Sequence, residues 1–96
     1  MSVRLELGLD AAKGDRNERE RGLPFERVAE FDFESALVRI DRRKEYGEIR
    51  FVALGLIDGR VHAVCFTFVK AGIRVISLRK ANKREVRCHE QSTAAD

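Results

Sequence analysis

The chain has 96 residues, 44% of them apolar and 36% charged, with a formal net charge of +3. Those figures describe one domain with a modest core and a heavily charged surface, expected over residues 1–90 with 91–96 as a flexible tail. They exclude a membrane helix, since no stretch approaches the roughly 18 apolar residues that a span needs. Met1 to Leu9 lacks the basic-then-apolar order of a signal peptide. Cys65 and Cys88 make neither a disulfide framework nor a spaced ligand set, so a reducing, cytoplasmic setting is the default expectation.

Val3, Leu5, Leu7 and Leu9 alternate with polar or small residues, which predicts a half-buried strand. Asp10 then caps a helix that begins at Ala11 and is crowded with charge from Lys13 to Arg21. Gly22 suits its C-terminal cap, and Pro24 stops it and opens a second helix. In that helix Phe25, Val28 and Ala29 form an apolar stripe.

The period changes near Ala36 from about 3.6 to 2. Ala36–Ile40, Glu48–Leu56, Val61–Val69 and Ile73–Arg79 read as four strands. Asp58-Gly59 is a hairpin signal between the second and third, and Ala71-Gly72 turns between the third and fourth. Asn82 and Glu85 stand in capping-box relation, which predicts a helix to about Glu90. The order is strand, two helices, four strands, helix: an α+β domain with an antiparallel sheet.

The charge is unevenly placed. Residues 1–69 hold 12 Lys and Arg against 13 Asp and Glu, whereas residues 70–96 hold 7 against 3. A basic C-terminal third suits an acidic partner, either nucleic acid or an acidic protein segment. Arg50, Arg74 and Arg79 stand in or at the ends of strands, and guanidinium forks match phosphate oxygens. Arg74 and Arg79 have opposite parity on an ideal strand, so one shared cationic surface requires a twist or bulge near Ser77. Glu48 and Arg50 share a face and could pair. His89 is four residues after Glu85 on one helical face, where an imidazole could transfer protons near neutrality. His62 reads as a partly buried strand histidine, and Cys65 as core packing on the opposite face. There is no Gly-rich phosphate loop, His/Cys metal spacing or nucleophile elbow.

Several pieces together resemble the BrnT family of type II toxins. They are Asp10-x-x-Lys13-x-x-x-Asn17, Gly22-x-x-Phe25-Glu26, Gly47-Glu48-x-Arg50-Phe51-x-Ala53-Leu54-Gly55, Arg74-Val75-Ile76-Ser77-Leu78-Arg79-Lys80-Ala81, and Glu85. The resemblance runs from about Leu9 to His89. It implies a RelE-like fold and a metal-independent, cofactor-free endoribonuclease that inhibits translation. The ribose 2′-OH would attack the adjacent phosphate to leave a cyclic phosphate and a free 5′-OH. On this resemblance Arg50, Glu48, His89 and Arg79 are the catalytic candidates, and Arg74, Lys80, Lys13 and Asn17 the RNA contacts. It also implies a BrnA-type antitoxin, a ribbon-helix-helix DNA-binding protein, as partner. RNA is then the substrate, and DNA is reached only through the antitoxin complex. The chain departs from the family pattern at Leu9, where an aromatic is usual. It departs again at Glu20-Arg21, where Lys-His is usual, and at His89, where Tyr is usual. The change at Glu20-Arg21 motivates an alternative, a non-catalytic module of the same fold that binds RNA or antitoxin.

Overall fold

The computed structural model describes residues 11–42, 45, 47–70 and 72–94, with backbone only at 11–14 and 94. The expected strand at Val3–Leu9 lies outside the described residues. Helix α1 spans Ala11–Arg21 and ends as expected, with Gly22 at φ 67° and its N–H donating to the Glu18 carbonyl at 2.8 Å. Glycine tolerates that left-handed conformation without a Cβ penalty.

The second helix is a 3-10 segment, Phe25–Glu30, rather than an α-helix. Its apolar spacing explains this. Phe25, Val28 and Phe31 recur every three residues and are all buried, while Ala29 is exposed. Three residues per turn stack that triplet on one side, and the bond from the Phe31 N–H to the Val28 carbonyl is the corresponding i→i−3 contact.

Four strands follow: β1 Leu37–Ile40, β2 Phe51–Ile57, β3 Arg60–Val69 and β4 Gly72–Lys80. They form an antiparallel meander in the order β1-β2-β3-β4. Asp58 and Gly59 both have positive φ, 51° and 72°, as the tight turn between β2 and β3 requires. β2 begins at Phe51, later than the expected Glu48, because Glu48–Arg50 approach the sheet as irregular chain. Helix α2, Lys83–Ala94, runs four residues beyond its expected end and takes up most of the segment expected to be a tail.

Period-2 alternation divides the sheet into two faces. Ala53, Ile57, Val64, Phe66, Ile73, Val75 and Leu78 point to one face and form the main core with Leu23, Phe25, Val28 and Phe31. Gly55 is required there. A Cβ on it would lie 2.6 Å from Cζ of Phe31, so the ring rests directly on the backbone. Leu54, Val61 and Ala63 point to the other face, where they pack with Leu37, Val52, Leu56 and with Ala81, Val86 and Cys88 of the α2 region. Helix α2 covers only part of that second face, and the uncovered part is the site described next.

Candidate nucleic-acid interface

A register shift in β4 decides which cations share a face. Cys65 pairs with Ser77, but the next residue, Phe66, pairs with Val75, so Ile76 is an extra residue in β4. Without it Arg74 and Arg79 would point to opposite faces. With it, Arg79 lies opposite Ala63 and Arg74 opposite Thr67, and both share the α2 side of the sheet. The bulge near Ser77 that a shared surface needs is therefore present, one residue earlier.

Successive rows of side chains can be read across that face. Leu37, Leu54, Ala63 and Arg79 make one row, and Arg39, Val52, Cys65 and Ser77 the next. Arg50, immediately before β2, continues the parity of Val52 and Leu54. The Asp41 N–H donates to its carbonyl at 2.7 Å, which extends the β1–β2 ladder. Thr67 and Arg74 are paired in the same part of the sheet, and the Thr67 hydroxyl donates to the Ile49 carbonyl at 2.8 Å.

Between this face and α2 runs a groove of about 760 Å³. Its floor is apolar: Leu37, Val52, Leu54, Ala63, Cys65 and Cys88. Its polar lining is dominated by Arg21, Arg39, Arg42, Arg79 and Arg84, against two carboxylates, Asp41 and Glu85. Cys65, expected as core packing, is buried but lies on this floor.

Of the two carboxylates, Glu85 is used structurally. Glu85 accepts both terminal nitrogens of Arg79, at 2.6 and 2.9 Å, and accepts the Asn82 N–H at 3.0 Å. Asn82 returns the bond, its Oδ1 accepting the Glu85 N–H at 2.9 Å, so the capping box forms as expected. The Arg79 guanidinium beside Glu85, helped by the Asn82 amide, holds that carboxyl below its ordinary range against the opposing effect of burial. Arg79 is thus the residue that ties α2 to β4.

Among the remaining expected site residues, Glu48 accepts from Nε of Arg50 at 3.0 Å, with the Arg50 side chain largely covered and Glu48 more open. Asn17 is buried and fully occupied by backbone. Its Nδ2 donates to the carbonyls of Leu23 and Leu78, at 2.6 and 2.8 Å, and its Oδ1 accepts the Leu78 N–H at 3.3 Å. It has no group left for RNA. Lys80 pairs with His62 in register, on the parity of the main-core face and away from the groove. The side chain of Lys13 lies outside the described residues.

His89 is buried, only 4% exposed, and is not part of the groove lining. Its Nε2 is enclosed with no hydrogen-bond partner among the described residues. Its surroundings include Asp32. The Ser35 hydroxyl first, backbone amides of Ser35 and Glu34, and then the charge of His89 draw the Asp32 carboxyl below its ordinary range. His62, expected to be partly buried, is fully buried, with Nδ1 2.8 Å from the Arg60 carbonyl.

Sequence reasoning did not place Arg21, Arg39, Arg42 or Arg84 in a groove. Arg21 stood out only as a departure from the family pattern, and Arg39 shares parity with Leu37 in the short strand. Among the described residues no three His, Cys, Asp or Glu side chains gather into a metal site, and no helix is long and apolar enough to cross a membrane.

The site is thus an arginine-lined groove on an antiparallel sheet. A family model described as the ribonuclease toxin BrnT of type II toxin–antitoxin systems matches residues 9–85, and the chain belongs to that family. No curated protein matches the chain.

Proposed function

We propose that this chain is a metal-independent endoribonuclease of RelE-like fold that binds single-stranded RNA in the groove and cuts it by attack of the ribose 2′-OH. The observation that carries the reading is the convergence of Arg39, Arg42, Arg79 and Arg84 on one groove, with Arg50 on the same sheet face. Planar guanidinium forks hold phosphate oxygens and can stabilise the charge that grows on the phosphorane. Glu48 is the base in this reading. It is the open carboxylate beside Arg50, placed to accept the 2′-OH proton. His89, enclosed under α2, acts as a positioning residue and does not touch RNA. Cleavage in the cytoplasm would stop translation, and a BrnA-type antitoxin, the expected partner of a family member, would hold the toxin inactive and carry the complex to DNA.

The test is single-turnover cleavage of labelled RNA in EDTA, with analysis of the product ends. A cyclic phosphate end is expected. Arg50→Ala should slow cleavage about 10²–10³-fold, and Glu48→Gln about 10²–10⁴-fold, with thermal melts unchanged. Cleavage at the unmutated rate by Glu48→Gln would remove it from the chemistry.

A second reading, RNA binding without cleavage, is favoured by one observation. Glu20 is exposed and engaged with Arg16 at 3.0 Å, while Arg21 lines the groove. The position where the family usually has histidine therefore carries a residue that stays protonated and cannot exchange a proton near neutrality. Tight RNA binding with no cut product would establish that reading.

A further inference from the structure

A second basic depression, of about 370 Å³, flanks α2. It lies between the start of β3, the residue joining β4 to α2, and the first two turns of the helix. Arg60, Lys83 and Arg87 stand round it, and Val61, Ala81 and Val86 make its apolar floor. The Ala81 N–H donates to the Val61 carbonyl at 3.0 Å, which fixes that floor to the end of the sheet. No carboxylate is among its described lining residues.

Several arginines elsewhere in the chain are paired: Arg16 with Glu20, Arg27 with Glu30 and Asp58, Arg50 with Glu48 and Arg79 with Glu85. Asp58 stands two residues before Arg60, yet it is taken by Arg27 at 2.7 Å. Among the described residues Arg60, Lys83 and Arg87 have no ion pair and no side-chain hydrogen bond. Uncompensated cations round one hollow raise its positive potential and gather anions there.

The depression adjoins the groove. Lys83, Val86 and Arg87 share one flank of α2, at i, i+3 and i+4, while Arg84 and Cys88, at i and i+4, share the flank that lines the groove. Asn82 lines the groove and the next residue, Lys83, lines the depression, so the two meet across the N-terminal end of the helix. Both combine an apolar floor with a cationic rim. One chemistry repeated on two sides of a helix suits a polymer whose unit is a flat ring joined to a phosphate.

Resting on the reading that RNA occupies the groove, we propose that the strand continues across the N-terminal end of α2 and places a further nucleotide in this depression. Its base lies on Val61, Ala81 and Val86, and its phosphate lies between Arg60 and Arg87. The contact holds the strand in register and takes no part in the chemistry.

The test uses the full chain and 2′-O-methyl RNA, which has no free 2′-OH to attack and stays intact. A short oligomer of about 4 nucleotides is compared with a long one of about 12. Affinity is measured by fluorescence anisotropy over a salt series. The long oligomer should bind the unmutated chain more tightly and with a steeper salt dependence. Replacing Arg60 and Arg87 together by alanine should weaken the long oligomer several-fold and lower its log–log slope by about 0.7, one phosphate contact. The short oligomer should bind as before, and the melting temperature should not change, because both side chains are exposed and unpaired among the described residues. The charge control is Arg19→Ala with Lys80→Ala, neither of which lines the groove or the depression.

An equal effect of the control pair would reduce the result to net charge and overturn the proposal. So would an unchanged slope for the long oligomer on the Arg60/Arg87 variant. If Arg39, Arg42 and Arg84 replaced by alanine still weakened both oligomers, that failure would leave the groove reading intact. No binding of either oligomer to the unmutated chain would overturn both. A polyglutamate peptide that loses affinity for the Arg60/Arg87 variant, with RNA unaffected, would assign the depression to an acidic protein instead.

Discussion

Asn17 sits in a helix that carries little but charge, yet it is buried and spans two backbone segments. Its carboxamide meets both the N–H and the C=O of Leu78, as a neighbouring strand would, and it also takes the Leu23 carbonyl. One side chain thereby closes a stretch of the β4 edge and fixes α1 against it. Asn17→Ala leaves those backbone groups buried and unpaired. It should cost about 1–3 kcal/mol of stability in urea unfolding. Asn17→Asp should cost at least as much, because a carboxylate has no donor for the two carbonyls. RNA affinity of the folded fraction should not change in either variant. The residue's role was not legible beforehand. Its partner lies 61 positions away along the chain, and local pattern gives no sign of which strand edge will need closing.

At the scale of elements, much was legible because local chemistry decides it. The Asn82/Glu85 capping box, the Asp58-Gly59 turn, the Gly22 cap and the alternation in β2 to β4 all depend on residues a few positions apart. The second helix was misread because Phe25, Val28 and Ala29 satisfy an α stripe as well as Phe25, Val28 and Phe31 satisfy a 3-10 one. Packing against Gly55 selects the latter. The bulge could be stated as a requirement but not located, since the extra residue is fixed by how β3 and β4 fill both faces. Deleting Ile76 makes the requirement testable. The deletion restores strict alternation, so it must turn either Arg74 or Arg79 with its neighbours to the opposite face. The expected outcome is a loss of several kcal/mol or no folding at all. Ile76→Ala, which keeps the residue count, should cost far less. Equal stability of the two variants by thermal melting would show that the bulge is not needed.

The junction between β4 and α2 has its own pH dependence. Glu85 has its carboxyl lowered mainly by Arg79 and further by the Asn82 amide. A group with a depressed native pKa binds its proton more weakly in the folded state. Its contribution is therefore complete above the unfolded carboxylate pKa and disappears as pH falls through the folded one. Melting temperature should fall through the acid end of the carboxylate range, and Glu85→Gln should flatten that dependence. Because Arg79 and Glu85 are partly solvated, the loss is about 1 kcal/mol or less. An identical acid profile for Glu85→Gln and the unmutated chain would dissociate the ion pair from the docking of α2.

Across the whole molecule, function follows from an uneven covering of one sheet. The 3-10 segment and its flanking residues Leu23 and Phe31 close the first face over the core, and α2 closes only part of the second. What remains open is an apolar floor bordered by arginines that come from α1, β1, the segment after β1, β4 and α2. Composition could indicate a basic protein, but not that cations from five places converge, because convergence is a property of the fold. If the groove binds single-stranded RNA, its arginines act chiefly by releasing counterions from phosphates. The logarithm of affinity should then fall linearly with the logarithm of salt, with a slope of about 0.7 per phosphate contact. Replacing Arg39, Arg42 and Arg84 together by alanine should flatten that slope by about 2. Arg79 is left in place, since its removal would also release α2. Lys80→Ala, on the other face, should leave the slope unchanged although it also removes a positive charge. Fluorescence anisotropy of a labelled oligonucleotide over a salt series measures all three proteins. A slope altered equally per charge by both changes would mean that RNA responds to net charge alone. A slope altered only by the groove variant would locate the phosphates on the arginine-lined face.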